Sequence, residues 1–422
     1  MDAQSPQVAH RLIPMRGRDP HERGRVASSL ELLYDLTFVV AFGVAGNEFA
    51  HLAATGSWGL ALFGYVVSLF AVIWAWIGFA WFASAYDTDD WLYRLLTLVQ
   101  MVGVVVVAIG ITPFCVSLHE THGDAIDNTI MVLGYVVMRV GLCLQWIRAY
   151  IQAPDTRPGV IRYLTGILIA QVGWVALAFA HTSLRVFAIA GGVLIVIELL
   201  WPFLAEHAAD RAGRAMVTPW HPHHIAERYS LLVIVTLGEG IVGTVSALSS
   251  AVEESGWTLQ AWLVVLAGLA LTFALWWVYF GIEWAQALHA HPERGFGWGY
   301  GHIPLFMGVA GTGAGLHIAG YVIAGEAGVT EQQAVLAVLI PVALCLAMKY
   351  LLFNVIFRTF DRVHLLLIAL TAAVLAGVLL ASRAGLSMGW ALLLCVLAPA
   401  VSVIGYETVG HRHQQEHLRD GN

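Results

Sequence analysis

Residues 58–84 read WGLALFGYVVSLFAVIWAWIGFAWFAS, twenty-seven consecutive positions without a charged side chain. A bilayer core about 30 Å thick is crossed by roughly 20 helical residues, so this stretch is long enough to span it. It is also too uniformly apolar to be one face of a helix in a water-soluble domain. Working outward, segments of the same kind recur near 30–54, 91–113, 125–150, 158–180, 183–205, 224–250, 258–285, 299–325, 332–357, 362–382 and 386–408. The chain is therefore expected to be an all-α integral membrane protein with about twelve transmembrane helices.

Composition agrees. Of 422 residues 59% are hydrophobic and 12% charged, against about 25% charged in ordinary soluble domains. The formal net charge of -7 comes without a basic run, which excludes nucleic acid as a partner. Cys115, Cys143, Cys345 and Cys395 stand singly in or beside apolar segments and are expected to be inert packing residues. The polar first 29 residues lack the pattern of a cleavable signal, so the first apolar segment is expected to be a true span.

Basic residues collect on the cytoplasmic side of membrane proteins. With the amino terminus inside, sixteen of the twenty-one Lys and Arg fall on inner segments: Arg11, Arg16, Arg18, Arg23 and Arg25, then Arg94, Arg148, Arg157, Arg162, Arg211, Arg214, Arg294, Arg358, Arg362, Arg412 and Arg419. Both termini are expected to be cytoplasmic. Trp58, Trp91, Trp257, Trp298 and Trp390 lie where spans meet loops and read as interfacial anchors.

The two halves look duplicated. A shift of 203 sets Phe70, Ala71, Trp74, Gly78 and Trp81 on Phe273, Ala274, Trp277, Gly281 and Trp284. Shifts of 210 and 209 set Arg139 on Lys349, Arg148 on Arg358, and Glu198 on Glu407. Six spans per half is an even number, so the halves are expected to be parallel repeats. The chain then divides into a cytoplasmic polar arm (1–29), a first six-helix repeat (30–206), a cytoplasmic linker (207–223), a second six-helix repeat (224–409) and a cytoplasmic tail (410–422).

An ionisable side chain inside lipid costs about 2.5–3.5 kcal/mol on insertion scales, so each must face protein, water or a partner. Glu31, Asp35, Arg139, Glu198, Glu227, Arg228, Glu283 and Lys349 form the expected intramembrane charge network, in the cytoplasmic third, with Arg139 and Asp35 as the favoured pair. Either helix-to-helix glue or a gate or proton relay fits such a network. Asn47, Glu48 and His51 lie toward the other side, as does Glu239 between Gly238 and Gly240. Glu48 and Glu239 are the candidate ion or proton site, though a register that sets Glu31 on Glu227 puts Gly43 opposite Glu239.

His221, His223 and His224 precede the seventh span and His411, His413 and His417 lie in the tail. Neither cluster has a convincing ligand set, so no metal is assigned and capping or solvated histidines are expected. No phosphate loop, nucleophile elbow or dinucleotide fingerprint is present, so neither a cofactor nor enzymatic activity is expected. Gly308, Gly311, Gly313, Gly315 and Gly320 point to close helix packing in the ninth span, a broken helix being the alternative.

Glu31-Leu-Leu-Tyr-Asp-Leu-Thr-Phe-Val39 resembles the opening motif, Glu-Leu-Phe-Phe-Asp-Leu-Val-Phe-Val, of the bacterial low temperature requirement A protein family. His224-Ile-Ala-Glu-Arg-Tyr, Thr236-Leu-Gly-Glu239 and His302-Ile-Pro-Leu are similar to that family's further motifs. The resemblance implies a family role for Glu31, Asp35, His224, Glu227, Arg228, Gly238, Glu239, His302 and Pro304. Tyr34 and Gly240 depart from the usual Phe and Ser. The family is named for growth in the cold, which fixes no biochemistry.

The expected function is a secondary transporter or permease for an ion or small solute, in the bacterial inner membrane. An ion channel is the alternative; Leu33-Tyr34-Asp35 resembles the Phe-Ser-Asp triplet of a two-repeat potassium channel family at its Asp. A non-transporting sensor or structural protein for cold adaptation is the third. The expected partners are the lipid bilayer and the ion or solute, with a homo-oligomer left open.

Overall fold

The computed structural model describes residues 12–210, 218–359 and 362–410. Arg11, Arg211, Arg214, Arg412, Arg419 and the histidines at 411, 413 and 417 lie outside the described residues. Fourteen α-helices and no strands are found among the described residues: α1 (Ser29–Ala54), α2 (Trp58–Tyr86), α3 (Trp91–Glu120), α4 (Thr129–Gln152), α5 (Arg157–Phe179), α6 (Leu184–Asp210), α7 (Pro222–Ser255), α8 (Leu259–Phe280), α9 (Trp284–Ala290), α10 (Gly295–Ala324), α11 (Glu331–Phe357), α12 (Arg362–Arg383), α13 (Met388–Cys395) and α14 (Leu397–Gly405). With α9 continuing α8, and α14 continuing α13, twelve stretches are long and apolar enough to cross a membrane.

Local chemistry sets the boundaries. Ser28 caps α1 in a reciprocal capping box with Glu31, satisfying two backbone donors that a helix start leaves open. Thr330 and Gln333 do the same for α11. The third apolar segment was expected to end near 113, but α3 continues through Pro113 to Glu120. An internal proline removes one backbone bond, and neighbouring helices tolerate that inside a membrane.

Most helices pack on near neighbours in sequence, and α8 also lies against α13. α1 lies against α2 and α3, α3 against α4, α4 against α5, and α5 against α6. Further on, α7 lies against α8 and α10, α10 against α11, α11 against α12, and α12 against α13 and α14. α1 and α2 join the two sets by packing on α7 and α10.

Glycine lets α7 and α10 approach. A Cβ on Gly243 would sit 2.1 Å from the Gly313 carbonyl oxygen, and one on Gly313 would sit 2.2 Å from that of Glu239. α10 is continuous, so its glycines serve packing and not a break. The outer faces are apolar: Val172 is 71% and Phe179 72% exposed, while Glu31, His224 and Arg228 are fully buried. Apolar outside and charged inside is the reverse of a water-soluble domain.

Trp91, Trp257 and Trp390 are exposed at helix ends, as anchors should be, but Trp298 is completely buried. It packs on His302 and Tyr229 instead. Cys115, Cys345 and Cys395 are buried and Cys143 half-buried, all as free thiols.

Residues 12–28 dock on the end of the bundle where α1 begins. Arg25 pairs with Asp87, Met15 N–H donates to Gln152, and Arg148 binds both the Ile13 carbonyl and Asp90. Asp90 also caps α3 by accepting from Tyr93 N–H. Burial works to raise its pKa, but the Arg148 guanidinium and the Tyr93 and Ile13 N–H groups outweigh it and bring the carboxyl down to about 2.

Candidate functional site

α1, α7 and α10 run parallel through the centre of the bundle, so residues at matching depth meet. At their first turns, Arg228 of α7 donates to Glu31 at 2.8 Å and to Asp35 at 2.5 and 3.2 Å. Trp76 of α2 donates its indole N–H to Asp35 at 2.7 Å, and His224 lies 3.1 Å from Glu31. Glu31, His224 and Arg228 are 0% exposed and Asp35 2%. A bidentate guanidinium between two carboxylates, closed by an indole and an imidazole, is what a buried charge group needs to avoid an uncompensated desolvation cost.

The expected pair of Asp35 with Arg139 is therefore replaced by Asp35 with Arg228. α2 and α3, not α4, are the neighbours of α1 within the first six spans. Arg139 instead donates to the Tyr135 hydroxyl, which bonds Glu198 of α6 at 2.7 and 2.9 Å. Glu227 is half-buried and accepts from Ala27 N–H, tying the arm to α7. Glu283 is exposed at the break between α8 and α9, outside the charge network. Lys349 is buried with its ammonium 4.3 Å over the Tyr350 ring.

Deeper along the same helices lies Glu239, 6% exposed. Its carboxylate faces α1 at glycine: a Cβ on Gly43 would sit 3.4 Å from Oε1, and one on Gly46 3.9 Å from Oε2. The Glu239 carbonyl meets Gly313 of α10. Oε1 is buried and, among the described residues, has no hydrogen-bond partner. Glu48 is elsewhere on α1, accepting from Thr112 of α3 at 2.8 Å, and Asn47 and His51 are exposed. The structure thus brings Glu239 together with Gly43 and Gly46, and not with Glu48, Asn47 and His51.

His302 is fully buried. Its Nδ1 lies 2.8 Å from the Trp298 carbonyl, which only accepts, so Nδ1 carries the proton and Nε2 accepts from the Tyr279 hydroxyl at 3.0 Å. Pro304 falls two residues on within α10. His221 caps α7 by accepting from His224 N–H and meets the Glu22 carbonyl at 2.8 Å. His223 is exposed against His289. Among the described residues no group of three or more metal-ligating side chains is assembled.

Trp76, Tyr135, Gly43 and Gly46 complete these sites. Trp76 and Tyr135 carry no charge, so a search for intramembrane ions passes over them. Gly43 was legible as the residue set on Glu239 by the register that sets Glu31 on Glu227.

The family-motif residues Glu31, Asp35, His224, Arg228 and Glu239 line the contacts among α1, α7 and α10 at two depths. A sequence profile described as "Bacterial low temperature requirement A protein (LtrA)" matches residues 26–399. The chain is also similar to an uncharacterized protein of Rhizobium meliloti (strain 1021), 26% identical over 298 residues, which is 68% of each chain. With twelve stretches able to cross a membrane and the profile spanning nearly all of them, the chain is a multi-pass membrane protein belonging to the bacterial low temperature requirement A protein family.

Proposed function

We propose that this protein is a secondary transporter or permease that moves an ion or small solute through the junction of its two halves, with Glu239 as the proton- or cation-binding group. The observation that carries the reading is the Glu239 carboxylate, buried between α1 and α10 with Oε1 unpartnered, whereas Glu31, Asp35 and Glu198 each have a polar partner. A buried carboxylate with nothing to compensate it is held by a proton or a bound cation.

The matching start of each half, α1 on α2 and α3 with α3 on α4, against α7 on α8 and α10 with α10 on α11, supports two parallel six-span repeats, an architecture suited to alternating access. Arg148, Arg157, Arg162, Arg294 and Arg358 at the arm end support a cytoplasmic placement of that end, and hence a location in the bacterial inner membrane. In this reading the chain is a carrier and not an enzyme, its partners being the bilayer and the moved species.

The test is proton movement in proteoliposomes, read with a trapped pH dye under an imposed potassium diffusion potential. Wild type moves protons, and Glu239→Gln lowers the rate at least tenfold. A wild type that moves no protons, or an unimpaired Glu239→Gln, overturns the reading.

A non-transporting structural role is the second reading, favoured by the Glu31, Asp35, His224 and Arg228 cluster, in which both carboxylates are paired with Arg228 within the protein. Growth in the cold that survives loss of every proton flux would select it. Single-channel currents in planar bilayers would instead select a channel.

A further inference from the structure

A groove of about 740 Å³ opens at the arm end of the bundle, between residues 21–26, the start of α7 and α9. Small-molecule sites span about 300–1,000 Å³, so it has room for a compact ligand. Its walls carry Arg23, Arg25, His223 and His289 beside Glu22 and Glu227.

The acceptors here are largely committed. Both Glu22 oxygens take Arg18, at 2.8 and 2.7 Å. Asp87 takes Arg25 at 3.4 Å and the Asp89 N–H at 2.9 Å, and Glu227 Oε2 accepts from Ala27 N–H at 3.0 Å. The donors are not committed. Arg25, its side chain 6% exposed, has Nε buried without a hydrogen-bond partner. Among the described residues Arg23 makes no ion pair, and the rings of His223 and His289, 5.1 Å apart, make no hydrogen bond.

A surplus of guanidinium and imidazole donors over free acceptors fits a ligand that only accepts. Phosphate oxygens do so, and they match the fork of a guanidinium. A metal cation does not fit: Arg23 and Arg25 repel it, and no group of three ligating side chains is assembled among the described residues.

We infer that this groove binds a phosphate group, held by the Arg23 guanidinium and the His223 and His289 imidazoles beside Arg25. The Glu227 carboxylate opposes the ligand's charge and limits its affinity. The group is carried either by a free anion or by a lipid headgroup, and the experiment separates the two. The site stands apart from Glu239, so it holds or fails independently of the transporter reading.

The test is isothermal titration of the full-length protein in an uncharged detergent at pH 7. The probes are inorganic phosphate and dihexanoyl phosphatidic acid, the latter below its micelle concentration. At least one saturates in the submillimolar range. Arg23→Gln and His289→Gln, both at exposed side chains, each weaken that binding at least fivefold. Glu227→Gln, which keeps an acceptor for the Ala27 N–H, tightens it at least threefold. Arg383→Gln, at the exposed end of α12, leaves it unchanged. Saturation by phosphate alone assigns the site to a free anion, and saturation by phosphatidic acid alone assigns it to a headgroup. Equal affinity for both shows recognition of the phosphate group whatever carries it. The inference is overturned if neither probe binds at millimolar concentration, or if Arg23→Gln binds as wild type does.

Discussion

At the scale of the residue, Arg228 is the side chain on which the central cluster depends, because it alone places a guanidinium on both Glu31 and Asp35. Removing it leaves two carboxylates buried without a compensating cation, a change that costs about 3–5 kcal/mol. Arg228→Gln is therefore expected to lower the thermal midpoint in detergent sharply. Adding Asp35→Asn should recover part of the loss, because one of the stranded charges is then gone. A midpoint unchanged in Arg228→Gln would show that the cluster contributes nothing. The sequence made Glu31, Asp35 and Arg228 legible as costly charges in lipid, and their helical spacing placed the two acids on one face. It did not choose between Arg139 and Arg228 as partner, because helical periodicity reports a face and not which helix lies opposite. Trp76 and Tyr135 were invisible for a different reason: as neutral hydrogen-bonding groups they look like any other membrane aromatic.

Elements add what single residues lack. α7 and α10 touch backbone to backbone at Gly313, so Gly313→Ala must push the helices apart and is expected to cost about 1–3 kcal/mol. Gly377→Ala on α12, where a Cβ meets nothing within 4 Å, is the matched control and should leave the midpoint unchanged or slightly raised. The docked arm is the second element with a measurable property. His221 holds it through the Glu22 carbonyl, and burial lowers the imidazole pKa below its usual value. Undocking relieves part of that burial, so the freed ring gains a proton at a higher pH than the docked one does. Docking is thus strongest above the freed ring's pKa and weakens as pH falls through it. Limited proteolysis of residues 12–28 should be slow at pH 8 and faster at pH 5.5, and His221→Gln should flatten the difference. Asp90 does not contribute in that window: its carboxyl, held down to about 2, lends stability that is lost only as pH drops below about 4. The twelve spans were legible from apolar length, but apolar length does not mark a helix's last polar turn, so the end of α3 was placed near 113 and not at Glu120. The arm was legible only as a polar segment, since no periodicity marks a stretch that docks through backbone groups of Ile13, Met15, Glu22 and Ala27 and through the Arg18 and Arg25 side chains.

The whole molecule is a bundle with its charges at the centre and its apolar faces outward, and the proposed transport runs through the junction of α1, α7 and α10. The sequence likeness between the halves does not extend to polar contacts: Arg139 bonds Tyr135, while Lys349 sits over Tyr350, and Glu407 meets Trp277 at the surface. If the junction moves during transport, tying α1 to α10 must stop it. Gly46 and Ala314 suit this, because a Cβ on Gly46 would lie 3.6 Å from that of Ala314, within the usual span of a disulfide. In a background with Cys115, Cys143, Cys345 and Cys395 replaced by alanine, the pair Gly46→Cys and Ala314→Cys should cross-link on oxidation. Proton flux in proteoliposomes should then fall at least tenfold and return on reduction; flux that continues undiminished through the cross-linked protein would contradict the account.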